Sequence, residues 1–157
     1  MRNVPVQLRD LFARRQSAAK FSLNPIRRLC AALGHPERRL RFVHIAGTNG
    51  KGSVAAMCAA VAQEAGLRAG LYTSPHLRRY HERFRLEGVE INDAELTAHL
   101  DRVLAIAGDA TFFEISTALA LSWFAARDAE FVAWETGIGG RLDATNVVVP
   151  RVSVITS

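Results

Sequence analysis

The chain has 157 residues, 49% hydrophobic and 22% charged, the size and balance of about one globular domain; this excludes fibrous, collagen-like and disordered classes. Its net charge of +5 is uneven, because residues 1–41 carry ten basic groups against only two acids, Asp10 and Glu37. No run reaches the roughly 18 apolar residues of a membrane span and no short apolar signal core is present, so the expected location is cytoplasmic, with no membrane partner.

In chain order, Leu8, Leu11 and Phe12, then Ile26, Leu29 and Leu33, predict two short amphipathic helices broken near Asn24-Pro25 and closed by Gly34-His35-Pro36. Residues 1–40 are thus expected as an N-terminal helical segment ahead of a strand-and-helix unit, 41–157. Phe42 to Ala46 is a short apolar run closed by Gly47, the pattern of a buried parallel strand. A helix is expected from Ser53 to Ala65, ending at Gly66. Arg68 to Thr73 predicts a second strand stopped by Pro75, and residues 74–92 a long polar loop. Asn92 or Asp93 caps a helix running to about Ala107, with Glu95 in the first turn where the dipole favours an acid. A longer helix is expected from Phe113 to about Arg127, then strands at Phe131–Trp134 and Val152–Thr156. Strands alternating with helices give βαβ units. The expected fold class is therefore α/β, a mainly parallel sheet with helices on both faces, in a chain that stops after a strand at Ser157. Ligands of such sheets gather at the carboxyl ends of the strands.

The strongest chemical signal is Gly47-Thr48-Asn49-Gly50-Lys51-Gly52-Ser53, placed where a strand turns into a helix. Glycines let backbone N–H groups approach an anion, the helix N-terminus adds positive potential, and a lysine reaches terminal phosphates. The spacing departs from G-x-x-x-x-G-K-[ST], since Ile45 stands five before Gly50 and Gly52 separates Lys51 from Ser53. Glu135, at the carboxyl end of the apolar run 131–134, stands where a hard oxygen ligand holds Mg²⁺ beside such a loop; pairing with Arg141 is the alternative. In the loop from Thr73-Ser74-Pro75-His76-Leu77 to His81-Glu82-Arg83-Phe84, a hydroxyl at a strand's end suits Mg²⁺ and an arginine-bearing loop suits an anionic substrate. His76 and His81 are badly spaced for zinc, and Cys30 and Cys58 match no metal or redox spacing and read as buried thiols.

The segments HIAGTNGKGSV, LYTSPHL, ERFRLEG, FFEISTALA and ETGIGGRLDATNV, in this order, resemble the N-terminal half of the folylpolyglutamate synthase/dihydrofolate synthase family of Mur-ligase-like ATP-dependent amide ligases. The resemblance runs over roughly residues 18–157 and implies a P-loop-type, mainly parallel sheet like the central domain of Mur ligases, truncated, with 41–157 an incomplete P-loop ATP-binding ligase domain. It implies that Asn49, Gly50, Lys51 and Gly52 hold the ATP phosphates, flanked by Thr48 and Ser53, and that Ser74 and Glu135 bind Mg²⁺. It further implies a pteroate site at Thr111, Phe112, Phe113 and Glu114, with Phe113 as a stacking face, and at Leu142, Asp143 and Ala144. Asp143 would accept from pterin N–H groups. Phe21, Ser22 and Leu23 would lie near the same pocket, although the family more often has glycine where Ser22 or Leu23 stands. Without the resemblance, Phe113 reads as ordinary packing at a helix start.

The implied reaction joins L-glutamate to dihydropteroate or a folate through an acyl phosphate, with Lys51 and Glu135 as the catalytic pair, in a monomer. After Ser157 the family pattern continues with a histidine ligand for a second magnesium, a modified lysine and a C-terminal domain, so this chain alone is expected to bind nucleotide weakly and not to turn over. Two other readings remain. Another P-loop phosphotransferase or NTPase would share the loop and Glu135 without needing the pteroate-like stretches. A nucleic-acid module would use the basic segment, because clustered Arg and Lys release counterions from phosphates; the pairs Arg14-Arg15, Arg27-Arg28 and Arg38-Arg39 equally suit a solvated helix face, and no nucleic-acid partner is expected.

Overall fold

In the computed structural model, which describes residues 6–14 and 22–157, the helices and strands follow in the order α1 (Val6–Ala13), α2 (Asn24–Ala32), β1 (Phe42–Gly47), α3 (Lys51–Glu64), β2 (Ala69–Tyr72), β3 (Phe84–Leu86), β4 (Val89–Glu90), α4 (Asp93–Leu104), α5 (Phe112–Ala126), β5 (Phe131–Glu135) and β6 (Val152–Thr156). One sheet has the order β4-β3-β2-β5-β1-β6. The four strands expected from the sequence, β2, β5, β1 and β6, are its parallel part.

The long loop expected over residues 74–92 is in part a hairpin. β3 pairs antiparallel with β2, Tyr72 opposite Phe84, and with β4, Leu86 opposite Val89. Its two-residue turn is Glu87-Gly88, both at positive φ (52° and 76°), the twist that suits a tight hairpin. Phe84-Arg85-Leu86 before Glu-Gly carried that signal, but the run was too short to separate from the polar loop around it. The two N-terminal helices are separate as expected, and Pro25 stands in the first turn of α2, where a missing N–H costs nothing.

Alternation along the strands divides the core in two. Phe42, Tyr72, Val132 and Trp134 face the larger cluster, packed with Leu8, Leu11, Ile26 and Leu29 of the N-terminal helices and with Leu100, Ile115 and Leu119 of α4 and α5. Ile45 and Ala133 face the other way, onto Ala55 and Ala59 of α3. Helices therefore cover both faces, unequally. The central helix α5 is buried on nearly every side, as expected of a helix apolar all round, and its start is fixed by a capping box in which Thr111 and Glu114 satisfy each other's backbone N–H groups. Phe112 is accordingly the first residue of α5, one before the expected start. Among the described residues no helix is long and apolar enough to cross a membrane.

Candidate functional site

Parallel pairing brings four carboxyl-terminal strand ends to one edge of the sheet. Ile45 of β1 pairs with Glu135 of β5 and Gly47 with Thr156 of β6, while Tyr72 of β2 pairs with Trp134 of β5. Register therefore brings the β1–α3 loop, the loop holding Ser74, and Glu135 to one edge of the sheet.

Thr48, Asn49 and Gly50 are exposed at this edge. Gly50 is the N-cap of α3 with φ 77°, a left-handed conformation that glycine adopts without a Cβ penalty. Having no side chain, it leaves the first turn at Lys51, Gly52 and Ser53 without a side-chain cap, whereas α4 and α5 are capped by Asn92 and Thr111. The orphan N–H groups of that turn, with the helix dipole, form an anion site. The loop is propped from β6: the Asn49 N–H donates to the Ser157 carbonyl at 2.8 Å, and the Thr156 hydroxyl to the Ala46 carbonyl at 3.3 Å. Lys51 Nζ donates to the Thr48 carbonyl at 3.3 Å in exposed surroundings, a weak contact that it can leave for a phosphate.

Glu135 is 4% exposed. The Ser74 amide donates to its Oε2 at 2.7 Å, and Oε1 has no donor among the described residues. A Cβ at Gly52 would stand 3.5 Å from Oε1, so glycine keeps the space over that oxygen open. Burial pushes the carboxyl above the usual carboxylate range, and the Ser74 amide, Lys51 and Arg83 oppose that push. A buried carboxylate with one unspent hard oxygen, next to a hydroxyl-bearing residue and an anion loop, fits Mg²⁺. The fit is with these two side chains plus phosphate oxygens, because among the described residues no group of three or more His, Cys, Asp or Glu converges for a metal.

Beside Ser74 lies a cavity of about 760 Å³, lined by Arg83, by residues 111–114 and by 137–144. Phe113 is one wall: a Cβ on Gly137 would fall 2.5 Å from its ring and 3.0 Å from Asp143 Oδ2. The 137–144 loop is built around Asp143. Its Oδ2 accepts from the N–H groups of Gly137 (3.1 Å) and Ile138 (2.9 Å), and its Oδ1 from the N–H and hydroxyl of Thr145. Since the Thr145 hydroxyl donates to Asp143, His44 Nε2 is the donor in the 2.9 Å bond between them, and the Thr145 carbonyl accepts from Trp134 Nε1 at 3.0 Å. Desolvation lowers the His44 pKa.

These contacts engage two of the expected pteroate residues. All four lone-pair sites of the Asp143 carboxylate meet donors of its own loop, so the residue organises the cavity wall that it also lines. Glu114 is likewise committed, accepting the Thr111 N–H at 2.7 Å and its hydroxyl at 3.0 Å. Thr111, Phe112, Phe113, Leu142 and Ala144 do line the cavity. Ser22 and Leu23 do not; they border a separate groove with Asn24, Arg27 and Asn146, sharing only Arg141 and Leu142 with the cavity. Phe21 lies outside the described residues. Arg83 was not singled out from the sequence, though it is buried and in the wall; its only signal was its place in an arginine-bearing loop.

No family model matches the chain. It is 43% identical over 151 residues to the dihydrofolate synthase/folylpolyglutamate synthase of Bacillus subtilis, a match covering 88% of this chain and 35% of that relative. Its fold superposes with a TM-score of 0.88 and 36% identity on a bifunctional folylpolyglutamate synthase/dihydrofolate synthase from Yersinia pestis complexed with AMPPNP and Mn ion, covering 96% of this chain and 37% of that one. It superposes with a TM-score of 0.87 and 35% identity on E. coli FolC in complex with DHPP and ADP, again covering 96% and 37%. The chain thus spans about a third of the length of the relatives it matches.

Proposed function

We propose that this chain, which belongs to the folylpolyglutamate synthase/dihydrofolate synthase family, carries the nucleotide and pteroate half of an ATP-dependent ligase joining L-glutamate to dihydropteroate or a folate. The observation that carries this reading is adjacency: Ser74 touches Glu135 at one end of the cavity wall and lines the 760 Å³ cavity itself. In this reading a flat aromatic acid seated against Phe113 has its carboxylate at the Ser74 end of the cavity.

A carboxylate is a poor electrophile until one oxygen becomes a leaving group. In the reaction proposed, that oxygen attacks the γ-phosphorus of ATP, the bond to the β–γ bridging oxygen breaks, and ADP departs. The glutamate amine then attacks the acyl carbon, loses a proton and expels phosphate. The chain contributes position and charge: the first turn of α3 holds phosphate oxygens, Lys51 adds a compact positive charge, and Phe113 with the Asp143-built loop fixes the acid. Held by Ser74 and Glu135, Mg²⁺ would neutralise phosphate charge during transfer. The partners proposed are small molecules in the cytoplasm, with one copy of the chain supplying both neighbouring sites.

The test is binding of dihydropteroate to this chain with ATP and Mg²⁺ present, measured by calorimetric titration against a Gly137→Ala control that crowds the Phe113 wall. Nucleotide binding with no response to dihydropteroate would favour a general P-loop phosphotransferase or NTPase instead.

A further inference from the structure

Arg83 closes the base of the 74–82 loop, its carbonyl accepting the Thr73 amide at 3.2 Å. Its side chain folds inward, leaving the residue 4% exposed. The guanidinium carbon lies 5.3 Å from the Phe112 ring centroid and 5.8 Å from that of Tyr80, and Nε donates to His76 Nδ1 at 2.8 Å. Among the described residues no carboxylate comes within the 4.0 Å of an ion pair. Glu135 and Tyr72 lie within its electrostatic reach, but a buried guanidinium with no directly paired carboxylate is costly, and aromatic faces offset only part of that cost.

Arg83 is nevertheless part of the cavity wall, together with Ser74 and Phe113. A planar guanidinium there matches a carboxylate or a phosphoryl group with paired donors. Resting on the pteroate reading above, we propose that Arg83 is the anion anchor of the cavity, binding the pteroate carboxylate and then the acyl phosphate made from it. The other duty available to Arg83 is that of a strut clamped between aromatic rings. A strut is indifferent to whether the bound molecule carries a carboxylate.

The experiment titrates the 157-residue chain with dihydropteroate and with its neutral carboxamide, for the unaltered protein, Arg83→Gln and Arg83→Lys, with thermal melting and ATP binding as controls. The unaltered chain should prefer the carboxylate by roughly tenfold or more, as expected for a hydrogen bond to a charged group. Arg83→Gln should lose that preference while still binding the carboxamide and ATP, and Arg83→Lys should keep only part of it. If Arg83→Gln does not fold, Arg83→Lys decides, because an ammonium cannot reproduce the paired geometry. A preference unchanged in the folded variants, or an equal loss for both compounds, overturns the assignment of Arg83. Binding of neither compound by the unaltered chain overturns the pteroate reading itself, whereas binding without preference counts against Arg83 alone.

Discussion

The Ser74 amide donates to Glu135 Oε2 at 2.7 Å, tying the loop after β2 to the end of β5 and leaving the other carboxylate oxygen for a cation. Glu135→Gln preserves shape and removes the charge. Calorimetric titration of ATP with and without Mg²⁺ should show that Mg²⁺ strengthens binding to the unaltered chain and does nothing for the variant.

The same substitution should stabilise the fold near neutral pH. Burial raises the Glu135 pKa, so the native state holds this proton more tightly than the unfolded one. Its stabilising contribution is complete below the unfolded value and is lost as pH rises through the folded one. The melting temperature of Glu135→Gln should exceed that of the unaltered chain at neutral pH, the gap closing on acidification through the carboxylate range. A gap of the same size at every pH contradicts this.

His44 works in the opposite sense. Its pKa is lowered by burial from 6.5, so the stability it contributes is present above pH 6.5 and lost as pH falls below it. His99, lowered for the same reason, adds to the slope. Melting curves across this range should be less acid-sensitive in His44→Gln, whose amide can still donate to Thr145.

Thr145→Val keeps the shape and deletes the hydroxyl between His44 and Asp143. Leaving a buried His44 N–H without its acceptor should cost about 1–3 kcal/mol, read by denaturant unfolding, and should loosen the loop of residues 137–144. Pteroate affinity should fall while ATP affinity holds.

Gly137→Ala tests the cavity wall sterically. The new Cβ would fall 2.5 Å from the Phe113 ring, so the ring must move into the cavity, at about 1–3 kcal/mol. Pteroate binding should be lost before the fold is.

Much of this was legible in the residues. Apolar runs closed by Gly47 and before Glu135 predicted strands whose ends now form the site, and Asn92 caps α4 through the Glu95 amide as its sequence position suggested. The short β3–β4 hairpin was not legible, because three residues of alternation carry too little signal. Nor were the commitments of Asp143 and Glu114, since residue type announces a carboxylate but only the folded loop shows which donors reach it. Arg83 was hidden for a related reason: among the described arginines, burial without a directly paired carboxylate distinguishes one, and burial is a property of the fold.

Amide shift mapping by ¹⁵N NMR, with ATP·Mg²⁺ added first and dihydropteroate second, tests most directly whether nucleotide and pteroate occupy adjoining sites on this chain. The nucleotide should move Asn49, Gly50, Gly52 and Ser53, and dihydropteroate should then move Phe113, Gly137, Ile138 and Ala144. Nucleotide shifts in the loop with no dihydropteroate shifts around Phe113 and Gly137 would contradict it.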